Sequence, residues 1–441
     1  MLTLLGDLIA KAKAAGADAA DAVAFEATSL SLSQRLGKPE MLERSEEGDL
    51  GLRVFVGKRM AIASSSDRRP EALAELVERA VAMARLVPED PYCGLAEPEE
   101  LAHDWPDLDL CDPEEPSAEG LMALAGTAEE SALAVKGVTN SEGAQAGWSR
   151  TEIALAASNG FAGSYALTGS SLAASVVAGE GTGMETDYDY TSAVYAADMA
   201  DAAEIGRSAG DRAVARLGGR KVASARVPVV FDPRVANGFL RHLVGAISGP
   251  SIARGTSFLK ESLDKPVFAP GIVVVDDPHI VRGRRSKPFD GEGVANARRE
   301  LIADGVLTTW LLDLRSARQL GLKSTGHASR GVGSPPGPAP TNLYLAAGTV
   351  SRDALIGDID QGFYVTQMMG SGANPVTGDY SRGASGFWIE NGRTAYPVNE
   401  VTVAGNLKDM FKAMTPADDL VFRYGTDSPT LRIDGMTVAG R

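Results

Sequence analysis

From Val227 onward the chain is broken into short apolar runs that no helical period unites. These are Val227-Pro-Val-Val-Phe231, Ile272-Val-Val-Val275, Leu307-Thr-Thr-Trp-Leu-Leu312, Asn342–Ala346, Gly362–Met368, Gly386–Glu390 and Val401–Val403. Runs of this length between Gly, Pro and Asp read as strands. The Asn391-Gly392 pair, between Trp388 and Tyr396, predicts a tight hairpin. Helices are few in this half. Asp232-Pro233 reads as an N-cap with proline in the first turn, opening a helix to about Ile247, and Asn406–Met414 reads as another. Strands that outnumber helices without strict alternation favour α+β over a doubly wound α/β fold. They predict an α+β fold whose C-terminal half is rich in antiparallel sheet.

The N-terminal half reads differently. Leu2–Ala15 carries Leu5, Leu8, Ile9 and Ala12 at helical spacing. Ser29–Gln34 alternates like a strand, and Leu50–Ser65 reads as two strands about a Gly57-Lys58 turn. Pro70–Leu86 and Ser117–Val135 read as helices, the second capped by Ser117. Between them Pro88–Pro116 is dense in Pro, Asp and Glu and reads as a linker or long surface connection. The small-residue stretch to Tyr195 reads as short strands, Thr151–Ala157, Gly163–Thr168 and Ser171–Ala178, with Asn159-Gly160 and Gly179–Gly183 as turns. Ala200–Leu217 is helical and closes at Gly218-Gly219. Two domains are expected: 1–221, made of subsegments of about 1–87 and 117–221, and 222–441.

Composition removes several functions. A net charge of −15 disfavours a nucleic-acid partner. The run Arg282-Gly-Arg-Arg-Ser-Lys287 is the one basic candidate, and it reads as a solvated loop. No apolar run approaches the ~20 residues of a membrane span. The brief apolar start is interrupted by Asp7 and reads as an amphipathic helix rather than a signal peptide. Cys93 and Cys111 read as unpaired thiols.

Metal and nucleophile chemistry is sparse. A zincin needs two histidines on one helical face beside a glutamate. The four histidines, His103, His242, His279 and His327, are scattered, and there is no His-Glu pair. His279 with Asp276 and Asp277 is the best raw material for a metal site built from distant partners, against which Asp-Asp-Pro after a strand reads as a turn. No Gly-x-Ser-x-Gly elbow exists. A serine–histidine pair built on His327 with Ser324 or Ser329 competes with an architectural or groove-lining role for this loop. The glycines of Gly179–Gly183 and Gly331–Gly337 have neither a Walker nor a Rossmann pattern, and turns are expected.

The densest cluster of candidate site residues is Gly370–Phe387, where Asn374, Asp379, Tyr380, Ser381, Arg382 and Gly383 stand among small residues. Such a segment can offer backbone groups to an extended peptide. An Asp379–Arg382 ion pair is the expected brace.

Asn374–Phe411, together with Pro288-Phe-Asp-Gly-Glu-Gly-Val294 and Trp310–His327, resembles the TldD/PmbA family, in its PmbA (TldE) branch. In the family's metal-bearing branch a His-Glu-x-x-x-His helix precedes an Arg-Gly-Thr-Ser-like segment, matched here by Arg254-Gly-Thr-Ser257. Counted back without gaps, its histidine positions fall on Leu240 and Gly245, and its glutamate on Arg241. That branch also uses a C-terminal cysteine, and none follows Cys111 here. The resemblance implies no metal in this chain and zinc in a TldD-like paralogue with which it forms a heterodimer. It implies a cytoplasmic peptidase complex acting on unfolded or leader peptides. His327, Asn374, Asp379, Tyr380, Ser381, Arg382 and Gly383 are then candidate cleft residues. Family names also speak of DNA gyrase, a link the acidic charge leaves without direct DNA contact. Two alternatives stay open: an independent hydrolase using His327 or His242, and a peptide-binding homodimer without turnover.

Overall fold

The computed structural model describes residues 1–440. Helix α1 (Leu2–Ala14) leads into a six-stranded antiparallel sheet of order β3-β2-β1-β4-β5-β6. Its strands are β1 (Ala19–Arg35), β2 (Lys38–Val56), β3 (Arg59–Ser65), β4 (Val138–Ala157), β5 (Ala162–Ala178) and β6 (Glu185–Ala193). Helices α2 (Pro70–Leu86), α3 (Ala118–Leu133) and α4 (Ala202–Ala215) complete this half. Ser117 caps α3, accepting from the Gly120 N–H.

Strand alternation explains the layering. Even-numbered residues of β1 face the helices all along its length. Ala20, Ala22 and Ala24 pack in the core of α1 and α2, and Leu30 and Leu32 pack in the core of α3 and α4. One sheet therefore carries both N-terminal subsegments. Odd-numbered residues at the same end of the sheet, Val23, Phe25, Ile153 and Leu155, face the other way, onto Phe289, Val294 and Leu314 of the C-terminal half. The strands are far longer than the sequence reading placed them. Ala, Ser and Gly supply little strand signal of their own, and here pairing on both edges holds them extended.

Pro88–Pro116 is no loose linker. It threads between the halves with Leu101, Ala102, Leu108 and Leu110 buried. It donates from Ala102 to Gly293 O and accepts from the N–H groups of Ala295, Arg282 and Thr168. Its Pro and acid content imitates a surface loop, while its leucines follow no period that would betray burial.

The C-terminal half has two main sheets. One has order β16-β15-β14-β7-β19-β17: β7 (Ala225–Phe231), β14 (Gln361–Met369), β15 (Asp379–Glu390), β16 (Arg393–Asn406), β17 (Met414–Pro416) and β19 (Leu431–Ala439). The other has order β10-β9-β8-β13-β18: β8 (Val274–Asp277), β9 (Arg299–Ala303), β10 (Val306–Leu307), β13 (Asn342–Leu345) and β18 (Thr426–Asp427). Pairing is mostly antiparallel; β14–β7 and β13–β18 are parallel. A short ribbon joins β11 (Ala328–Ser329) to β12 (Gly337–Pro338). Helices α5 (Pro233–Ile247), α6 (Gly249–Ala253), α7 (Leu314–Leu320), α8 (Arg352–Gly357) and α9 (Leu407–Lys412) fill the gaps. Phe239, Leu240, Leu243 and Ile247 of α5 enter a core to which both sheets contribute. The expected strand at Leu307–Leu312 ends after Leu307. Trp310, Leu311 and Leu312 are a buried connection, and an apolar run alone does not tell the two apart.

Candidate functional site

Asp232 caps α5 by accepting from the Arg234 N–H at 3.1 Å, and its other oxygen accepts from the Tyr364 hydroxyl at 2.7 Å. That fixes where α5 starts and which face it turns to the sheets. Leu240 lies in the core, whereas Arg241 and Gly245, one turn apart, face solvent. Arg241 donates back to Asn237 Oδ1 at 3.1 Å. His242 lies between these faces, its ring edge-on to Tyr380 at 5.6 Å.

Tyr380 belongs to the start of β15. Pairing of β14 with β15 folds Gly370–Gly378 back as a tight loop. The Ser381 N–H donates to Gly372 O at 2.7 Å and the Asn374 N–H to Asp379 O at 2.8 Å. A Cβ at Gly372 would overlap the Ser381 carbonyl, so this close return needs glycine. Asn374 Oδ1 accepts from the N–H groups of Val376 and Thr377. The Arg254–Ser257 segment joins the same cluster. The Ser257 hydroxyl donates to Ala246 O at 2.6 Å, and the next residue, Phe258, donates to Pro375 O at 2.9 Å. α5 and the Arg-Gly-Thr-Ser segment that soon follows it thus converge with the Gly-rich loop from far along the chain.

The expected Asp379–Arg382 ion pair does not form. Three residues apart on one strand, the two side chains leave by opposite faces. Asp379 turns outward, accepting from the Thr377 hydroxyl at 2.7 Å and from Asn406 Nδ2 at 3.1 Å. Those two bonds, Thr377 first, hold its carboxyl below the usual range. Ser381 is exposed on the same side. Tyr380 and Arg382 turn toward α5. Tyr380 is buried, and its phenol is pushed up to about 12 by burial, opposed by Arg382. Arg382 has its Nε buried without a partner. Gly383 pairs with Met369 across the hairpin.

His327 is apart from this cluster and 3% exposed. One ring nitrogen lies 2.8 Å from the Thr325 hydroxyl and the other 3.1 Å from Asp276 Oδ2, while Asp276 also accepts from the Thr341 N–H and hydroxyl. Both ring nitrogens are engaged, so the pairing with Ser324 or Ser329 does not occur; the Ser324 hydroxyl donates to Leu312 O instead. His279 sits in the expected turn, its N–H donating to Asp277 Oδ1 and its ring bonded to Asn296. The basic run is pinned rather than free: Arg282 pairs with Asp109 and Asp198, and Arg285 donates to the Thr426 hydroxyl.

A zinc ion does not fit at α5. Leu240, Arg241 and Gly245, the positions to which the resemblance carries the motif, offer it no ligand. Burial depresses the His242 imidazole, and the charges of Arg382 and Arg241 push it further down. A dication would have to settle beside two guanidinium groups. Among the described residues no three His, Cys, Asp or Glu side chains cluster as metal ligands.

The sequence reading passed over a second polar cluster at the junction of the halves. Arg53 of β2 pairs with Asp21 of β1 and, at 3.1 Å, with Glu292. Arg330 reaches the same Asp21 at 2.7 Å. All four side chains are nearly inaccessible. The signal available was the pair of carboxylates in Pro-Phe-Asp-Gly-Glu-Gly; of these Glu292 joins the cluster, and its cationic partner Arg53 lies in the other half of the chain.

The chain matches known proteins along nearly its whole length. Residues 20–84, 111–217 and 224–440 match domain 1, the central domain and the C-terminal domain of the PmbA/TldA metallopeptidases. The chain is 40% identical to metalloprotease PmbA of Escherichia coli O157:H7, over 96% of this chain and 93% of that one. It is 37% identical to a PmbA homologue of Haemophilus influenzae, over 97% and 93%. A crystal structure from Bacteroides thetaiotaomicron, labelled a modulator of DNA gyrase, superposes with a TM-score of 0.92 at 27% identity, covering 100% of this chain and 98% of that one. The chain belongs to the PmbA/TldA metallopeptidase family, in its PmbA (TldE) branch. Among the described residues no helix is long and apolar enough to cross a membrane.

Proposed function

We propose that this chain is the metal-free, non-catalytic subunit of a cytoplasmic peptidase, paired with a zinc-bearing TldD-like paralogue and acting on unfolded or leader peptides. The observation that carries the reading is the chemistry of α5. The helix keeps its place against the Arg-Gly-Thr-Ser segment and the Gly-rich loop, but offers Leu240, Arg241 and Gly245 where ligands would stand, with two arginines beside His242. In this reading the α5–β15 face holds substrate instead of hydrolysing it. Arg382, with its unpartnered Nε, takes a peptide carbonyl or carboxylate, and the exposed Asn374 of the Gly-rich loop guides an extended backbone. His327, inside the domain, keeps the loop beneath in shape. The acidic charge supports no direct contact with DNA.

The test is elemental mass spectrometry on the chain purified without chelator, alone and after co-expression with the paralogue. Background metal alone, with zinc and peptide turnover appearing only in the co-purified complex, is the expected result. About one zinc per isolated chain, or turnover by the isolated chain, overturns it. Within the complex Arg382→Ala is expected to weaken peptide binding about tenfold or more, the loss of a hydrogen bond to a charged donor. Unchanged affinity and turnover would remove Arg382 from the site.

A further inference from the structure

Beside the Asp21–Arg53–Glu292–Arg330 cluster lies a cavity of about 240 Å³. It shares no residue with the α5–β15 face. Its apolar wall is the underside of the N-terminal sheet, Val23, Phe25, Ile153 and Leu155, continued by Tyr165 and Phe289. Its polar end is Lys287, Asp290, Ser329 and Arg330.

The donors at that end are under-used. The Arg330 side chain is 1% exposed, and only its Nη1 is engaged, by Asp21. Nε and Nη2 are buried without a partner. Those two nitrogens form one edge of the guanidinium, the edge that grips both oxygens of a carboxylate. Leaving it bare inside the protein forfeits hydrogen bonds that water would otherwise supply. The Lys287 ammonium has no ion-pair partner within 4 Å among the described residues, and burial depresses it while Asp290 and Asp276 draw it back up. The Asp290 carboxyl does not serve either cation directly. Its oxygens accept from the N–H groups of Glu292, Val294 and Ala328.

We propose that this cavity is a binding site for a small carboxylic acid with a compact apolar body, the carboxylate held by the free edge of Arg330 and by Lys287 and the body lying against Val23, Phe25, Ile153 and Leu155. The volume falls below the ~300–1,000 Å³ usual for larger ligands, which limits the body to the size of an isobutyl or phenyl group. Acetate has the charge without the body. An alcohol has the body without the charge.

Isothermal titration calorimetry on the full chain tests this with 3-methylbutanoate and 3-phenylpropanoate, the matching alcohols, and acetate. The two acids are expected to bind at least about tenfold more tightly than their alcohols and than acetate. Lys287→Met is expected to weaken the acids about tenfold, by removing one charge-assisted contact. Arg330→Met is the more direct variant, but it strips a partner from Asp21 and risks the fold. Ile153→Trp is therefore the decisive one: it fills the cavity from the apolar side, leaves every charge in place, and is expected to abolish binding. Equal affinity for acid and alcohol, binding that survives Ile153→Trp, or no acid binding at millimolar concentration overturns the proposal and leaves ordered water as the occupant of the Arg330 edge.

Discussion

Arg53 sits where three obligations meet: it neutralises Asp21, it neutralises Glu292, and its burial permits no water to take over either task. Removing it as Arg53→Met strands the Glu292 carboxylate and leaves Asp21 to Arg330 alone, and a loss of about 3–5 kcal/mol is expected in chemical denaturation. Asp290, close by, answers to pH. Burial, with the Glu292 charge second, lifts its carboxyl from 3.8 to about 7 against three backbone N–H bonds that lower it. The folded chain therefore keeps a proton that the unfolded chain releases. Stability from this group is present at low pH and declines as pH rises from about 4 through about 7. Asp290→Asn is expected to lower stability overall, since an amide cannot accept on both sides, and to flatten that decline in unfolding midpoints measured across the window. A slope unchanged by the substitution would assign it to another group.

Glycine separates two kinds of position at the scale of the element. At Gly386 of β15 a Cβ would overlap the Tyr364 carbonyl across the hairpin, so Gly386→Ala is expected to cost about 1–3 kcal/mol or more in thermal unfolding. Gly245 has open space around it in the last turns of α5, and Gly245→Ala is expected to stabilise by about 0.5–1 kcal/mol. The elements that could be read from sequence are those whose signals are local. The Asp232-Pro233 start of α5, the Ser117 cap, the apolar faces of α1 and α2 and the Asn391-Gly392 turn were all legible. The length of β4 and β5 was not, because alanine and serine become strand residues only through their neighbours. Strand β19 was missed outright: Arg432, Asp434 and Gly435 interrupt its apolar pattern, and its place beside β7 is set by pairing across two hundred residues. The candidate site was legible in its ingredients but not its geometry. Asp379 and Arg382 were read as partners although strand alternation sends them to opposite faces.

At the scale of the molecule the two halves are fastened by charge as well as by apolar contact. Trp105, from the connecting segment, packs edge-on against Phe289 at 4.9 Å, and Phe161 and Tyr165 of the N-terminal sheet surround the same ring. The Pro88–Pro116 segment is thereby held on both sides. Limited proteolysis is expected to leave it uncut in the native chain and to cut it in Trp105→Ala; early cleavage of the native chain there would contradict the packing.

The Asp21 carboxylate, gripped at once by Arg53 from its own sheet and by Arg330 from the other half, has a mechanical meaning. Prising the halves apart would part Arg330 from Asp21 and Glu292 from Arg53, so a hinge at this junction works against two buried ion pairs. On the proposed reading of the α5–β15 face, movement around a bound peptide would then fall to exposed loops rather than to this junction.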